Sequence, residues 1–221
     1  MANPKKLVGE KAAEYVKNGM KVGLGTGSTA SFAIQALGTM VQNGLKITCF
    51  PTSVASGELA ESLSIPLMEE HEVSKLDITI DGADEVDPDK NLIKGGGGAL
   101  LREKIIGAIS DQYIIIIDDS KKVNRLGAFT VPVEVVPFVW EVTAMQIEKL
   151  GGETTLREAD DGFFMTDNGN YILDSDFGLI DDPQSLEVRL NMIPGVVDNG
   201  LFIGMADLII SANSKGELEI I

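Results

Sequence analysis

The stretch Val22-Gly23-Leu24-Gly25-Thr26-Gly27-Ser28-Thr29-Ala30 decides the fold. A short apolar run (20–24) reads as a strand, passes through a glycine-rich turn, and leads into a helical pattern over 29–40. Strand, tight turn and helix in immediate succession are the repeating unit of a parallel sheet. Outward from it the same alternation continues. Residues 5–16 read as an amphipathic helix closed by Asn18-Gly19, 46–50 as a strand, and 53–62 as a helix capped by a serine. Residues 76–80, 99–110 and 113–117 then give strand, helix and a β-branched strand. The first part of the chain is therefore α/β, a doubly wound and mainly parallel sheet. Such sheets bind ligands beyond the carboxyl ends of their strands.

The second half changes character. A strand at 131–136 carries Pro132 and is expected near an edge. It is followed by a helix at 138–150, strands at 153–157 and 163–166, and the hairpin turn Asp167-Asn168-Gly169-Asn170 into 171–173. A helix at 183–192 behind Asp182 and a strand at 196–203 complete a β-α-β-β-α-β unit. Two last strands, 206–210 and 217–221, are expected to rejoin the first sheet. The expected domains are residues 1–130 with 204–221, and a smaller α+β domain over 131–203.

Composition narrows the function. Of 221 residues, 44% are apolar and 24% charged, ordinary globular usage that leaves room for a sizeable core. Lys and Arg number 18 against 34 Asp and Glu, a net charge of −16, which argues against a nucleic-acid surface. No apolar run is long enough to span a membrane, and the N-terminus does not read as a signal peptide. Cys49 is the only cysteine, so no disulfide forms within the chain and a reducing compartment, the cytoplasm, is expected. His71 is the only histidine, which leaves carboxylates, lysines and backbone amides to do chemistry.

Four segments carry candidate chemistry. The turn at 25–29 sets helix-terminal amides and the hydroxyls of Thr26, Ser28 and Thr29 at one place, suited to a phosphate. Gly25, Gly27 and Ala30 also satisfy a dinucleotide fingerprint, but the next strand ends in Pro51-Thr52-Ser53 without the carboxylate that fingerprint requires. A simple helix-capping turn is the third reading. The strand at 76–80 delivers Asp81-Gly82-Ala83-Asp84-Glu85, a pair of carboxylates for sugar hydroxyls or acid–base work. A solvated acidic turn, or a metal site with Asp87 and Asp89, competes, although the spacing is not that of an EF-hand. Lys94-Gly95-Gly96-Gly97-Gly98 costs more chain entropy than a connecting loop needs, and places a cation among bare amides. Glu103 follows on a helix whose buried stripe is expected to hold Leu100, Leu101, Ile105 and Ala108. It is either a base or a surface residue offsetting the helix dipole. Finally, 114–117 ends in Asp118 and leads to Lys121.

A phosphate cup, paired carboxylates, a lysine among glycines and a glutamate fit proton transfer beside the carbonyl of a sugar phosphate. Lys94 and loop amides would hold the enediolate oxygen, and Glu103 would carry the proton between neighbouring carbons. A sugar-phosphate sensor is a rival, but this acidic chain has no basic DNA-binding segment. An amino-sugar phosphate deaminase or a coenzyme A transferase is a third possibility.

The segments at 25–29, 81–85, 94–97 and 102–104 closely resemble those of type A ribose-5-phosphate isomerases, and the similarity extends to 167–170 and Ile193-Pro194-Gly195-Val196-Val197. The resemblance implies a Rossmann-like domain with a smaller, ferredoxin-like α+β domain. It implies interconversion of D-ribose 5-phosphate and D-ribulose 5-phosphate in the non-oxidative pentose phosphate pathway, with no cofactor and no metal. By the same resemblance Glu103 is the base, and Asp81, Asp84 and Lys94 serve the sugar hydroxyls, ring opening and the oxyanion. Thr26, Gly27, Ser28, Thr29, Gly82, Ala83, Gly95, Gly96 and Gly97 line the substrate, with Ser28, Thr29 and Lys121 at the phosphate. Lys5 or Lys6 matches a further phosphate lysine. A homodimer or homotetramer is implied. Gly98 departs from the family, where a small residue such as Ala is common, and is expected only to loosen the loop.

Overall fold

The computed structural model describes residues 3–160 and 162–221. Its contacts group into two compact units. The first comprises residues up to Ala83, Arg102–Lys122 and Met205–Ile221; the second comprises Asp84–Leu101 and Val123–Gly204.

The first unit is built on a six-stranded sheet in the order Leu218–Ile220, Leu208–Ala212, Tyr113–Asp118, Ile78–Asp81, Lys21–Leu24, Thr48–Pro51. Every neighbouring pair is parallel except the first, which is antiparallel. Helices Pro4–Ala13, Ala30–Gln42 and Val54–Ser62 belong to this unit, as does Leu100–Ala108 from Arg102 onward. Ile114, Ile115, Ile116 and Ile117 are all fully buried, so this central strand is covered on both faces, as a parallel sheet between helices requires. One core joins Val22, Leu24, Ile78, Ile80 and Ile114 to Val8, Ala12, Ile34 and Leu37. Local chemistry sets the helix starts. Asn3 caps the first helix through the Lys5 amide with Pro4 just inside it, and Ser53 caps the third through the Ser56 amide. The last two strands rejoin this sheet as expected.

The second unit holds a four-stranded antiparallel sheet in the order Val196–Asn199, Val131–Val135, Tyr171–Asp176, Glu153–Leu156, with helices Trp140–Glu148 and Pro183–Asn191. The strands and helices of this sheet follow the expected β-α-β-β-α-β order, but the strand expected over 163–166 is confined to Gly162–Phe163, which pairs with Glu158–Ala159 in a separate two-stranded sheet and not with the strand after the 167–170 turn. The strand with Pro132 is central rather than at an edge. Pairing on one side stops at Val133 opposite Asn199, and beyond it Pro132 uses only its carbonyl, which accepts from the Gly200 amide at 2.7 Å. The missing N–H thus breaks no ladder bond on that side. The strand expected over 196–203 divides at Gly200. Leu201–Phe202 pairs instead with Leu92–Ile93, which also pairs with Glu85–Val86, in a three-stranded sheet. That pairing draws Asp84–Leu101 into this unit, which is wider than the 131–203 expected from sequence.

Candidate active site

In the first unit the chemistry gathers where strands Lys21–Leu24 and Ile78–Asp81 end. Asp81 is fully buried. Its Oδ1 accepts from the Thr26 amide at 3.0 Å and the Gly82 amide at 2.7 Å, and its Oδ2 accepts from the Tyr113 hydroxyl at 3.1 Å. Gly25 makes this approach possible, because a Cβ there would lie 2.2 Å from Asp81 Oδ1. The glycine turn is therefore held from beneath by a carboxylate. Thr26 is also turned inward, its hydroxyl 2.8 Å from Thr52 Oγ1 and 2.8 Å from Ser53 Oγ. Of the three hydroxyls expected to face a phosphate, this one is engaged within the fold.

Gly27 and Ser28 are exposed and Thr29 half-buried at the start of helix Ala30–Gln42, where Thr29 makes no side-chain capping bond. The Ser31 and Phe32 amides of that helix start donate to Gly27 O and Thr29 O, so what the helix end offers an anion is its partial positive charge and the residues of the turn before it. A cation is already at hand: Lys5 Nζ donates to Ser28 Oγ at 2.9 Å. Lys6 turns outward to Glu10 at 3.7 Å. The two adjacent lysines thus have different partners, and only Lys5 reaches the turn. Lys121, half-exposed, closes the short 3-10 turn Asp119–Lys121 after strand Tyr113–Asp118.

Glu103 is 4% exposed, which excludes the surface role. The buried stripe of helix Leu100–Ala108 runs through Leu100, Glu103, Ile106 and Gly107, while Ile105 is 52% exposed and Ala108 is exposed, contrary to the expected stripe. The register turns because Gly107 packs on Tyr113: a Cβ at Gly107 would meet the ring at 2.8 Å. Tyr113 went unnoticed in the sequence, where its strand reads as pure core. Burial first, and then the negative charges of Asp81 and Glu103, push its phenol well above the ordinary value. It is a neutral donor flanked by two carboxylates, and its polar tip at the head of an isoleucine run was the available signal.

In the second unit, Asp84 is half-buried and its Oδ2 accepts from the Gly96 amide at 2.8 Å. Gly96 and Gly97 form an exposed loop tip between buried Gly95 and Gly98. Lys94 is 2% exposed, its Nζ 5.3 Å from the Phe202 ring centroid and its amide bonded to Gly200 O. The aromatic face helps hold a sequestered cation. The other acids of the 81–89 turn have structural work: Glu85 accepts from the Gly127 and Phe129 amides at 2.7 Å each, and Asp87 from those of Asp89 and Asn91. Among the described residues, no three His, Cys, Asp or Glu side chains gather as metal ligands would. Gly82 and Ala83 connect Asp81 to Asp84 as half-buried backbone.

Residues 48–216 match the family model described as ribose 5-phosphate isomerase A (phosphoriboisomerase A). Ribose-5-phosphate isomerase A of Listeria monocytogenes is 47% identical over 222 residues, covering 100% of this chain and 99% of the relative. The enzyme of that name from Bacillus mycoides is 51% identical over 217 residues, covering 98% of each. A solved structure of D-ribose-5-phosphate isomerase in complex with phospho-erythronic acid is 38% identical, with a TM-score of 0.95 over 100% of this chain and 99% of that one. The chain belongs to the ribose 5-phosphate isomerase A family.

Proposed function

We propose that the chain interconverts D-ribose 5-phosphate and D-ribulose 5-phosphate by proton transfer through an enediolate, with the residues described above in distinct roles. Ser28, Thr29, Lys5 and the helix end take the phosphate, with Lys121 as a further cation. Asp81 holds the Thr26 amide and so sets the loop. Asp84 and Lys94 serve ring opening and the sugar oxygens. Abstraction of the C2 proton of the aldose places negative charge on the C1 oxygen, and Lys94 with the glycine-loop amides that Asp84 does not take, Gly97 foremost, steadies it. Glu103 takes the proton and returns it to C1, while the C2 hydroxyl proton passes to the C1 oxygen so that the charge moves to O2 and closes the C2 carbonyl of the ketose. No step asks for a cofactor or a metal.

The observation that supports this mechanism most is the burial of Glu103 in the core-facing stripe of its helix. Other buried carboxylates here, such as Glu85 on the Gly127 and Phe129 amides, pin backbone; Glu103 sits on a helix face beside Tyr113 and Asp81, where a base can act. The phospho-erythronic acid held by the 38% identical relative is an aldonic acid phosphate, whose carboxylate resembles the enediolate expected here. Incubating the purified protein with ribose 5-phosphate and assaying ketopentose phosphate tests the activity. Accumulation of the ketose to an aldose–ketose equilibrium is the expected result, and an unchanged aldose pool overturns it.

The protein works as a homodimer or homotetramer in the cytoplasm. Exposed apolar side chains in the second unit, including Phe138 at 81%, Met145 at 59% and Met192 at 78%, support self-association. The buried lone Cys49 suits a reducing compartment. Among the described residues, no helix is long and apolar enough to cross a membrane.

A further inference from the structure

We propose that Arg157, clamped by Asp174, is a positioning residue that sets the direction of the glycine-loop amides. Arg157 lies between strand Glu153–Leu156 and the two-residue strand Glu158–Ala159. Its Nε donates to Asp174 Oδ2 at 2.9 Å while Nη2 donates to Oδ1, a two-point fork with both side chains largely buried. Its remaining arm, Nη1, donates to Gly95 O at 2.9 Å and Gly96 O at 3.2 Å. A guanidinium suits this task, because its planar donors reach a carboxylate and two carbonyls at once, which an ammonium on a flexible stem does not.

The consequence follows from peptide geometry. In a trans peptide the C=O and N–H point in opposite directions, and no cis bond occurs among the described residues. Drawing the Gly95 carbonyl to Arg157 therefore turns the Gly96 N–H the other way, where it meets Asp84 Oδ2 at 2.8 Å. The Gly96 carbonyl is drawn to Arg157 in the same manner, so the Gly97 N–H of that peptide is aimed away from Arg157 at the exposed loop tip. The Gly98 amide also donates to Gly95 O at 2.9 Å and closes the turn, but with four glycines that one bond leaves the Gly96 peptide free to rotate without Arg157. Phe164 completes the support: its ring lies 5.7 Å from Arg157 Cζ and packs under Gly98, whose φ is +77°. A Cβ at Gly98 would lie 2.3 Å from Phe164 Cζ, so this glycine seats the loop rather than loosening it.

The inference rests on the reading that the glycine loop steadies the enediolate oxygen. Arg157 touches no reacting atom, and its loss is expected in the transition state rather than in substrate binding. Steady-state kinetics with ribose 5-phosphate on full-length Arg157→Ala, Arg157→Lys and Asp174→Asn test it, with Glu103→Gln run alongside. Arg157→Ala is expected to lower kcat about 10- to 100-fold, up to the loss that a misplacement of about 1 Å brings, with KM within about threefold of the parent. Added guanidinium restores part of that kcat. Arg157→Lys recovers only a fraction, and Asp174→Asn shows a smaller loss in the same parameter. A folded Arg157→Ala or Asp174→Asn with kcat within about twofold of the parent, or a loss confined to KM, overturns the proposal. Should Arg157→Ala not fold, Asp174→Asn decides by the same criterion. If Glu103→Gln is inactive while the Arg157 variants are unimpaired, this inference alone falls; if Glu103→Gln stays active, the reading of the site falls with it.

Discussion

Tyr113 donates its phenolic hydrogen to Asp81 Oδ2 at 3.1 Å, deep beneath the loop that begins at Gly25. The same carboxylate holds the Thr26 and Gly82 amides, so one buried acid ties two neighbouring strands to the glycine turn proposed to take the phosphate. An uncompensated charge in such a place would be costly, and three donors share the task of satisfying it.

Replacing Tyr113 by Phe removes one of those donors and leaves the ring. Thermal or denaturant unfolding is expected to show a loss of about 1–3 kcal/mol. The pH dependence has a definite sign. Because the Tyr113 phenol is raised well above its ordinary value, the native state keeps a proton that the unfolded chain releases above pH 10.0. Its contribution is complete below that pH and declines as pH rises, by at most about 1.4 kcal/mol per pH unit. Tyr113→Phe is expected to lack this component, giving a shallower alkaline fall in stability than the parent. Equal slopes would show that Tyr113 is not held neutral by the fold.

Gly25→Ala tests the close approach. The added Cβ meets the Asp81 carboxylate at 2.2 Å, so either strand end must shift or Asp81 must release the Thr26 amide. A stability loss of about 1–3 kcal/mol accompanies such overpacking. Activity is expected to fall further than stability alone explains, seen as a raised KM at a temperature where the variant remains folded.

These two positions also show what a sequence makes legible. The alternation of strand and helix, the β-α-β-β-α-β unit and the Asp182 cap were readable because period and turn chemistry are local properties. The resemblance to type A isomerases singled out Glu103, Asp81, Asp84 and Lys94. The partners of these residues were not readable. Tyr113 meets Asp81 only through strand register, with Thr79 opposite Tyr113 and Asp81 opposite Ile115. Arg157 lies 61 positions from Gly96 and carries no local signature. The stripe on helix Leu100–Ala108 was misread because a buried glutamate counts as polar in any periodicity. Pro132 misled for a related reason, since the ladder's end depends on the neighbouring strand.

Lys5 and Lys6 are adjacent and chemically identical, yet one bonds Ser28 and the other Glu10. Lys5→Met is expected to raise KM for ribose 5-phosphate by about 10-fold, equivalent to one charge-assisted bond to a phosphate. Lys6→Met should leave KM unchanged, because its ion pair is exposed and contributes little. Equal effects in the two variants would remove Lys5 from the phosphate site.

Cys49 is fully buried and burial pushes its thiol up to about 12. The reactive thiolate is therefore scarce and inaccessible in the native protein. A coloured disulfide reagent at mildly alkaline pH is expected to leave the folded protein unlabelled and to label it fully in denaturant. Rapid labelling without unfolding would contradict this packing.

Isomerisation in heavy water follows the proton that Glu103 is proposed to carry between adjoining carbons. NMR of recovered pentose phosphate is expected to show solvent deuterium entering C1 of the ketose with the parent protein. Glu103→Gln should slow that entry by at least about 100-fold while still binding ribose 5-phosphate. Deuterium entering at the parental rate in the Gln variant would contradict the account.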